Sequence, residues 1–288
     1  MAASGHQARS TAVGAVGTAE ITARRLPAAR GRVRIEGPIR WDQWWVEPAL
    51  VVLVLGSFIV YSTWAAFQNA HYYAAPYLSP FYSPCLSTDC QHVTVPLFGK
   101  LPALPIIGVV SPAFLILWGP GLFRLTCYYY RKAYYRSFWG APPACAVTDV
   151  RPGYTGETRF PLIFQNLHRY TLYGALILLV FLWWEGLAAF FKDGRFGIGV
   201  GTVVMVINAA LLTGYTFGCH SWRHLIGGRM DCFTCDSAAS TRYRLWKGST
   251  WLNTRHMAFA WLSLVWVAFT DFYIYLVSSG TIRDLNTW

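Results

Sequence analysis

Residues 170–191 read YTLYGALILLVFLWWEGLAAFF, with a single charged side chain, Glu185. About 20 apolar residues wound as a helix cross the roughly 30 Å hydrocarbon core of a bilayer. In lipid, a helix satisfies every backbone N–H and C=O within itself. The stretch therefore predicts a transmembrane helix. Four more stretches of similar length and polarity flank it, at 48–67, 104–123, 196–218 and 257–280. The 288 residues are 55% hydrophobic and 13% charged, with 14 Trp, 17 Tyr and 18 Phe, more apolar surface than one soluble core needs. The expected fold class is an all-α membrane protein, a bundle of five transmembrane helices. Pro105 and Pro112 fall inside the second span, where lipid surroundings tolerate such breakers better than water does.

Orientation follows from Lys and Arg. The tail before the first span carries seven, residues 124–169 seven and residues 219–256 six, whereas the other three connections hold only Lys100, then Lys192 and Arg195, then Arg283. By the positive-inside rule the N-terminus and the two basic loops are expected in the cytoplasm, and the C-terminus outside. The same bias accounts for the net charge of +11, so no nucleic-acid partner is called for. Residues 1–40, rich in Ala, Gly and Arg, read as a cytoplasmic tail, extended or disordered, or as a strap along a soluble partner. Residues 41–288 form the membrane domain. Trp41, Trp44 and Trp45 suit the headgroup layer at its start.

The outer loop, 68–103, holds Cys85 and Cys90, five apart in an oxidising compartment, and a disulfide is expected there. The inner loop opens with RLTCYYYRKAYYRSFWGAPPAC (124–145), an aromatic and basic run suited to the interface plane or to docking a cytoplasmic protein. The richest stretch in metal-binding residue types is GCHSWRHLIGGRMDCFTC (218–235). If the fourth span continues through Trp222, His220 and His224 share a helix face, Gly227 and Gly228 end that helix, and Cys232 and Cys235 follow as a C-x-x-C knuckle. Cys219, about 100° round the helix from His220, is the spare ligand. Three readings fit: a tetrahedral zinc site, a Rieske-type two-iron two-sulfur cluster with cysteines on one iron and histidines on the other, or haem b with His220 or His224 paired to His168 or His256. Haem leaves the C-x-x-C unexplained.

Five spans, the basic face, the run TCYYYRKAYYRSFWGAPPAC and the stretch GCHSWRHLIGGRMDCFTC together resemble the membrane-anchor subunit of a bacterial succinate dehydrogenase, respiratory complex II. The resemblance covers the chain from about residue 40 onward. It implies two partner subunits on the cytoplasmic face, a flavoprotein that oxidises succinate and an iron–sulfur protein. It also implies a quinone acceptor, here expected to be menaquinone, and leaves assembly into a higher oligomer open. Five-span anchors that carry two haems hold them with histidines within the spans, and here no histidine lies in the middle of any span. Because zinc has no redox chemistry, an electron-transferring anchor favours the iron–sulfur reading at His220, His224, Cys232 and Cys235. A purely structural anchor with a zinc-stapled loop is the alternative.

His168 with Arg169, and His256 with Arg255, stand at the cytoplasmic starts of the third and fifth spans; with Trp222 they are the candidate quinone contacts, or else ordinary interfacial residues. Glu185 and Asp271, the acids within the spans, are candidates for a proton relay or for neutral, hydrogen-bonded carboxyls. Cys127 and Cys145 read as ordinary cytoplasmic thiols.

Overall fold

The structure is a computed structural model, and it describes residues 42–105, 108–145, 147, 158–160, 162–228 and 231–288. The tail expected over 1–40 lies outside the described residues.

Among these residues, four helices are long and apolar enough to cross a membrane, the second of them counted with the short 3-10 stretch ahead of it. They are α1 (Val46–Gln68), α4 (His168–Ala188), α5 (Val200–Phe217) and α8 (His256–Ser278). α5 is the most enclosed. It packs closely on α4 and α8, and Gly214 permits the contact: a Cβ there would stand 2.4 Å from the Phe259 ring. Small residues at such crossings let helix backbones approach where lipid gives no hydrophobic drive to associate. The outward faces carry exposed Leu53, Val60, Ile177, Val180, Leu262 and Val265, as side chains bathed in acyl chains should.

The stretch 104–123 does not form the continuous span that its apolarity predicts. Ala103–Leu104 (β3) pairs antiparallel with Gly108–Val109 (β4), Gly108 taking a positive φ of 69°. A 3-10 turn over Pro112–Leu115 follows, capped by the Ser111 hydroxyl. Helix begins only at α2 (Trp118–Leu125), breaks at Thr126–Cys127, and resumes as α3 (Tyr128–Phe138). Proline supplies the physical reason: Pro102, Pro105 and Pro112 lack the N–H that a helix interior needs. α2 lies against α4, and α3 against α1, where Arg136 pairs with Glu47 at 2.8 Å.

α6 (His220–Gly227) and α7 (Ser237–Thr254) form a hairpin beyond the end of α5. With α3 they make a basic face. The opposite face is built from strand pairs β1 (Tyr73–Ala74) with β2 (Tyr77–Leu78) and β5 (Phe191–Lys192) with β6 (Arg195–Phe196), from the Cys85–Cys90 disulfide, and from the C-terminal segment. Asp284 ties that segment down: it accepts from Tyr77 Oη (2.7 Å), Tyr273 Oη (2.5 Å) and the Gly201 backbone N–H (3.1 Å) in the first turn of α5.

Candidate redox site

Four helices start at one point on the basic side of the bundle. Cys127, in extended backbone, is the N-cap of α3, and Cys219, likewise extended, is the N-cap of α6. His168 and His256 are the first residues of α4 and α8. The two breaks turn both cysteines into the core, where each is 2% exposed; His168 is 3% exposed. His168 Nε2 stands 3.0 Å from Cys219 Sγ, and Cys127 Sγ stands 3.5 Å from His256 Nε2. The two pairs adjoin, for burial and the neighbouring Cys127 push the Cys219 thiol up to about 11. Helix N-termini carry partial positive charge, which offsets part of that burial cost for a negatively charged group held here.

The protein shapes each donor. Thr126 Oγ1 donates to the Leu122 carbonyl (2.7 Å), which leaves its lone pairs to accept from His168 Nδ1–H (3.0 Å). His168 Nε2 is then the unprotonated nitrogen, aimed at Cys219. His256 Nδ1 is buried without a hydrogen-bond partner, a state that costs about 1–3 kcal/mol unless something completes it. Gly218 makes room for that ring, since a Cβ there would lie 3.2 Å from His256 Nδ1 and 2.8 Å from the Gly214 carbonyl oxygen. Phe123 stacks on His168 and Tyr215 on His256, with centroids 4.8 and 4.9 Å apart and both ring pairs within 10° of parallel.

Those two rings are also a wall of a cavity of about 440 Å³ that extends toward the opposite face between α1, α2, α4, α5 and α8. It is apolar but for a few groups. Arg124 lines it, with its guanidinium 4.7 Å over the Tyr215 ring and bonded to Tyr130 Oη (2.8 Å) and Ser263 Oγ (2.9 Å). Ser83 Oγ and Tyr215 Oη, both from residues that line it, are buried with no hydrogen-bond partner.

The loop set expected from the sequence is not assembled. α5 ends at Phe217 and a new helix starts at His220, so the expected run through Trp222 is broken at the very residue, Cys219, set aside as spare. His220 and His224 do face each other, Nε2 to Nε2 at 3.0 Å, on an exposed surface. Cys232 and Cys235 are joined in a disulfide, so neither sulfur is a free thiolate. No group of three or more His, Cys, Asp or Glu among the described residues is arranged to hold a single metal ion. His220, His224 and Arg169 instead line a polar pocket of about 340 Å³ beside His168, with Gln165, Asn166 and Tyr128. Trp222 packs on Phe217 (4.7 Å), and Arg255 lies over the exposed Trp251 ring (4.2 Å). Glu185 accepts from Thr94 Oγ1 (2.9 Å), and Asp271 from Tyr61 Oη (2.5 Å) and Ser79 Oγ. Cys145 is exposed. From the sequence alone Cys127 reads as an ordinary cytoplasmic thiol. Its signal was positional, a lone Cys or His at the basic end of each of four segments.

Fold and site define a helical membrane subunit in which two buried cysteines, a buried histidine and a half-buried one converge. The family described as actinobacterial succinate dehydrogenase subunit SdhC matches residues 46–280, and the chain belongs to it. It is thus a membrane subunit of the succinate dehydrogenase complex. A chain of the solved Mycobacterium smegmatis Sdh1 complex in the apo form is 45% identical, with a TM-score of 0.78, covering 87% of this chain and 93% of that one. A search of curated proteins finds no match.

Proposed function

We propose that this subunit carries electrons as well as anchoring the complex. In this reading Cys127, Cys219, His168 and His256 hold a Rieske-type two-iron two-sulfur cluster, and a quinone, menaquinone in the expected case, accepts electrons in the adjoining cavity. The observation that carries it is the convergence of two cysteines and two histidines from four chain segments on the N-termini of four helices. A cluster of this type needs only two protein ligands at each iron, which two cysteines and two histidines can supply. Such a cluster supplies one-electron transfer at roughly −150 to +300 mV. The buried, unpartnered His256 Nδ1 supports the fit.

The chain's own residues do the rest. Thr126 fixes the His168 tautomer; Phe123 and Tyr215 exclude water from the histidines and separate them from the cavity. Arg124 places a fixed positive charge at the cavity wall, where a reduced quinone oxygen would be stabilised. Ser83 and Tyr215 offer hydroxyls to its two carbonyls.

The flavoprotein and the iron–sulfur subunit dock on the basic face, which is cytoplasmic by its Lys and Arg excess. Zinc, which also takes two cysteines and two histidines, is the alternative occupant and would supply no electron transfer. The test is Cys127→Ser in the whole complex. Quinone reduction should vanish while succinate oxidation with a soluble dye acceptor, fed by the partner subunits, persists. Retained quinone reduction would overturn the reading.

A further inference from the structure

Reducing a quinone consumes two electrons and two protons, and the electrons come from succinate. The site for the protons has to be found elsewhere in the molecule. Glu185 is buried, with a side chain 4% exposed, in the outward half of α4, one turn beyond Leu182 of the cavity wall. Its Oε2 stands 3.9 Å from His92 Nε2, whose side chain is 43% exposed on the face opposite the basic one. Its Oε1 accepts from Thr94 Oγ1 at 2.9 Å, and Thr94 Oγ1 in turn accepts from the backbone N–H of Cys85 at 3.2 Å. Two residues before Cys85, at most about 7 Å along the chain, stands Ser83, whose hydroxyl is buried, unpartnered and part of the cavity wall.

We propose that His92, Glu185, Thr94 and Ser83 form a proton intake from the face opposite the basic one to the cavity. The proposal rests on the reading of that cavity as the quinone site. His92 takes a proton from water and Glu185 holds it within the membrane domain. Thr94 relays it, and Ser83 gives one to a reduced quinone oxygen and is reprotonated from Thr94 through water that bridges the gap between the two hydroxyls. Two passes convert quinone and two electrons to quinol. Tyr73 stacks on His92 with centroids 5.0 Å apart, and Glu185 and Asp193 act on Tyr73, so these are the charged and titratable groups around the intake. Asp271 differs: its partners are the hydroxyls of Tyr61 and Ser79, between α1, α8 and the outer loop.

The experiment uses the purified complex in sealed vesicles of known orientation, with Glu185→Gln, His92→Ala and Asp271→Asn. Three rates are read: dye reduction, reduction of the chain's iron by succinate without quinone, and quinone reduction against the pH on the His92 side. Glu185→Gln should leave the first two intact and slow the third by about a hundredfold, the scale of one lost proton-transfer group. His92→Ala should flatten the dependence on pH at that face and regain rate with added imidazole. Asp271→Asn should keep the wild-type pH profile. Quinone reduction that is unchanged in Glu185→Gln, or lost in His92→Ala without imidazole rescue, overturns the intake and leaves a structural clasp. Failure of succinate to reduce the iron in the wild type would instead overturn the electron-transfer reading.

Discussion

The chain contains two sets of two histidines and two cysteines, and they differ in every property that matters for holding a cofactor. His220, His224, Cys232 and Cys235 fall within sixteen consecutive residues, and the structure leaves them at the surface, the histidines facing each other and the cysteines joined to each other. Cys127, His168, Cys219 and His256 are spread over 130 residues and meet in the core. Nearness in sequence is not convergence. Membrane helices run back and forth, so residues a full crossing apart meet whenever each ends a helix on the same side.

The comparison breaks most sharply with one substitution in each set. Cys219→Ser should abolish quinone reduction and strip iron from the subunit, whereas Cys232→Ser with Cys235→Ser should leave both within about twofold, because those sulfurs are tied to each other; quinone-reductase assays beside metal analysis decide it. A smaller effect is expected where a ligand is only supported. Thr126→Val removes the acceptor for His168 Nδ1–H, and losses of such supporting partners typically lower metal retention about 10- to 100-fold, read as iron released to a chelator over time. Packing comes next. Gly214→Ala drives a Cβ into Phe259 and should destabilise the α5–α8 contact by about 1–3 kcal/mol, seen as a lower Tm of the detergent-solubilised complex with the donor set unchanged. The smallest effect is expected from His220→Ala with His224→Ala, less than a twofold change in iron content.

These contrasts also mark what was legible in the sequence. Apolar runs at 48–67, 170–191, 196–218 and 257–280 mapped onto helices within a few residues, since length and hydropathy decide a membrane helix almost alone. The run at 104–123 has the same hydropathy but fails, because hydropathy does not weigh the missing N–H groups of Pro102, Pro105 and Pro112. The proposed site is half legible: Cys219 reads from the sequence as a spare ligand and His168 and His256 as quinone contacts or haem ligands, but Cys127 reads as an ordinary thiol. A helix carried on through Gly218 turns Cys219 to the wrong side. At the break, Ser249 Oγ donates to the Phe217 carbonyl and Asn253 Nδ2 to the Gly218 carbonyl, contacts from a distant segment that no local window contains.

The most direct measurement is iron and acid-labile sulfide per copy of this chain, in the complete complex, for wild type, Cys219→Ser and the Cys232→Ser/Cys235→Ser pair, after subtracting the content of the isolated partner subunits. The account predicts two iron and two sulfide in the wild type and in the loop variant, and neither in Cys219→Ser. Two iron retained in Cys219→Ser but lost with the loop cysteines would contradict it and return the cofactor to residues 220–235.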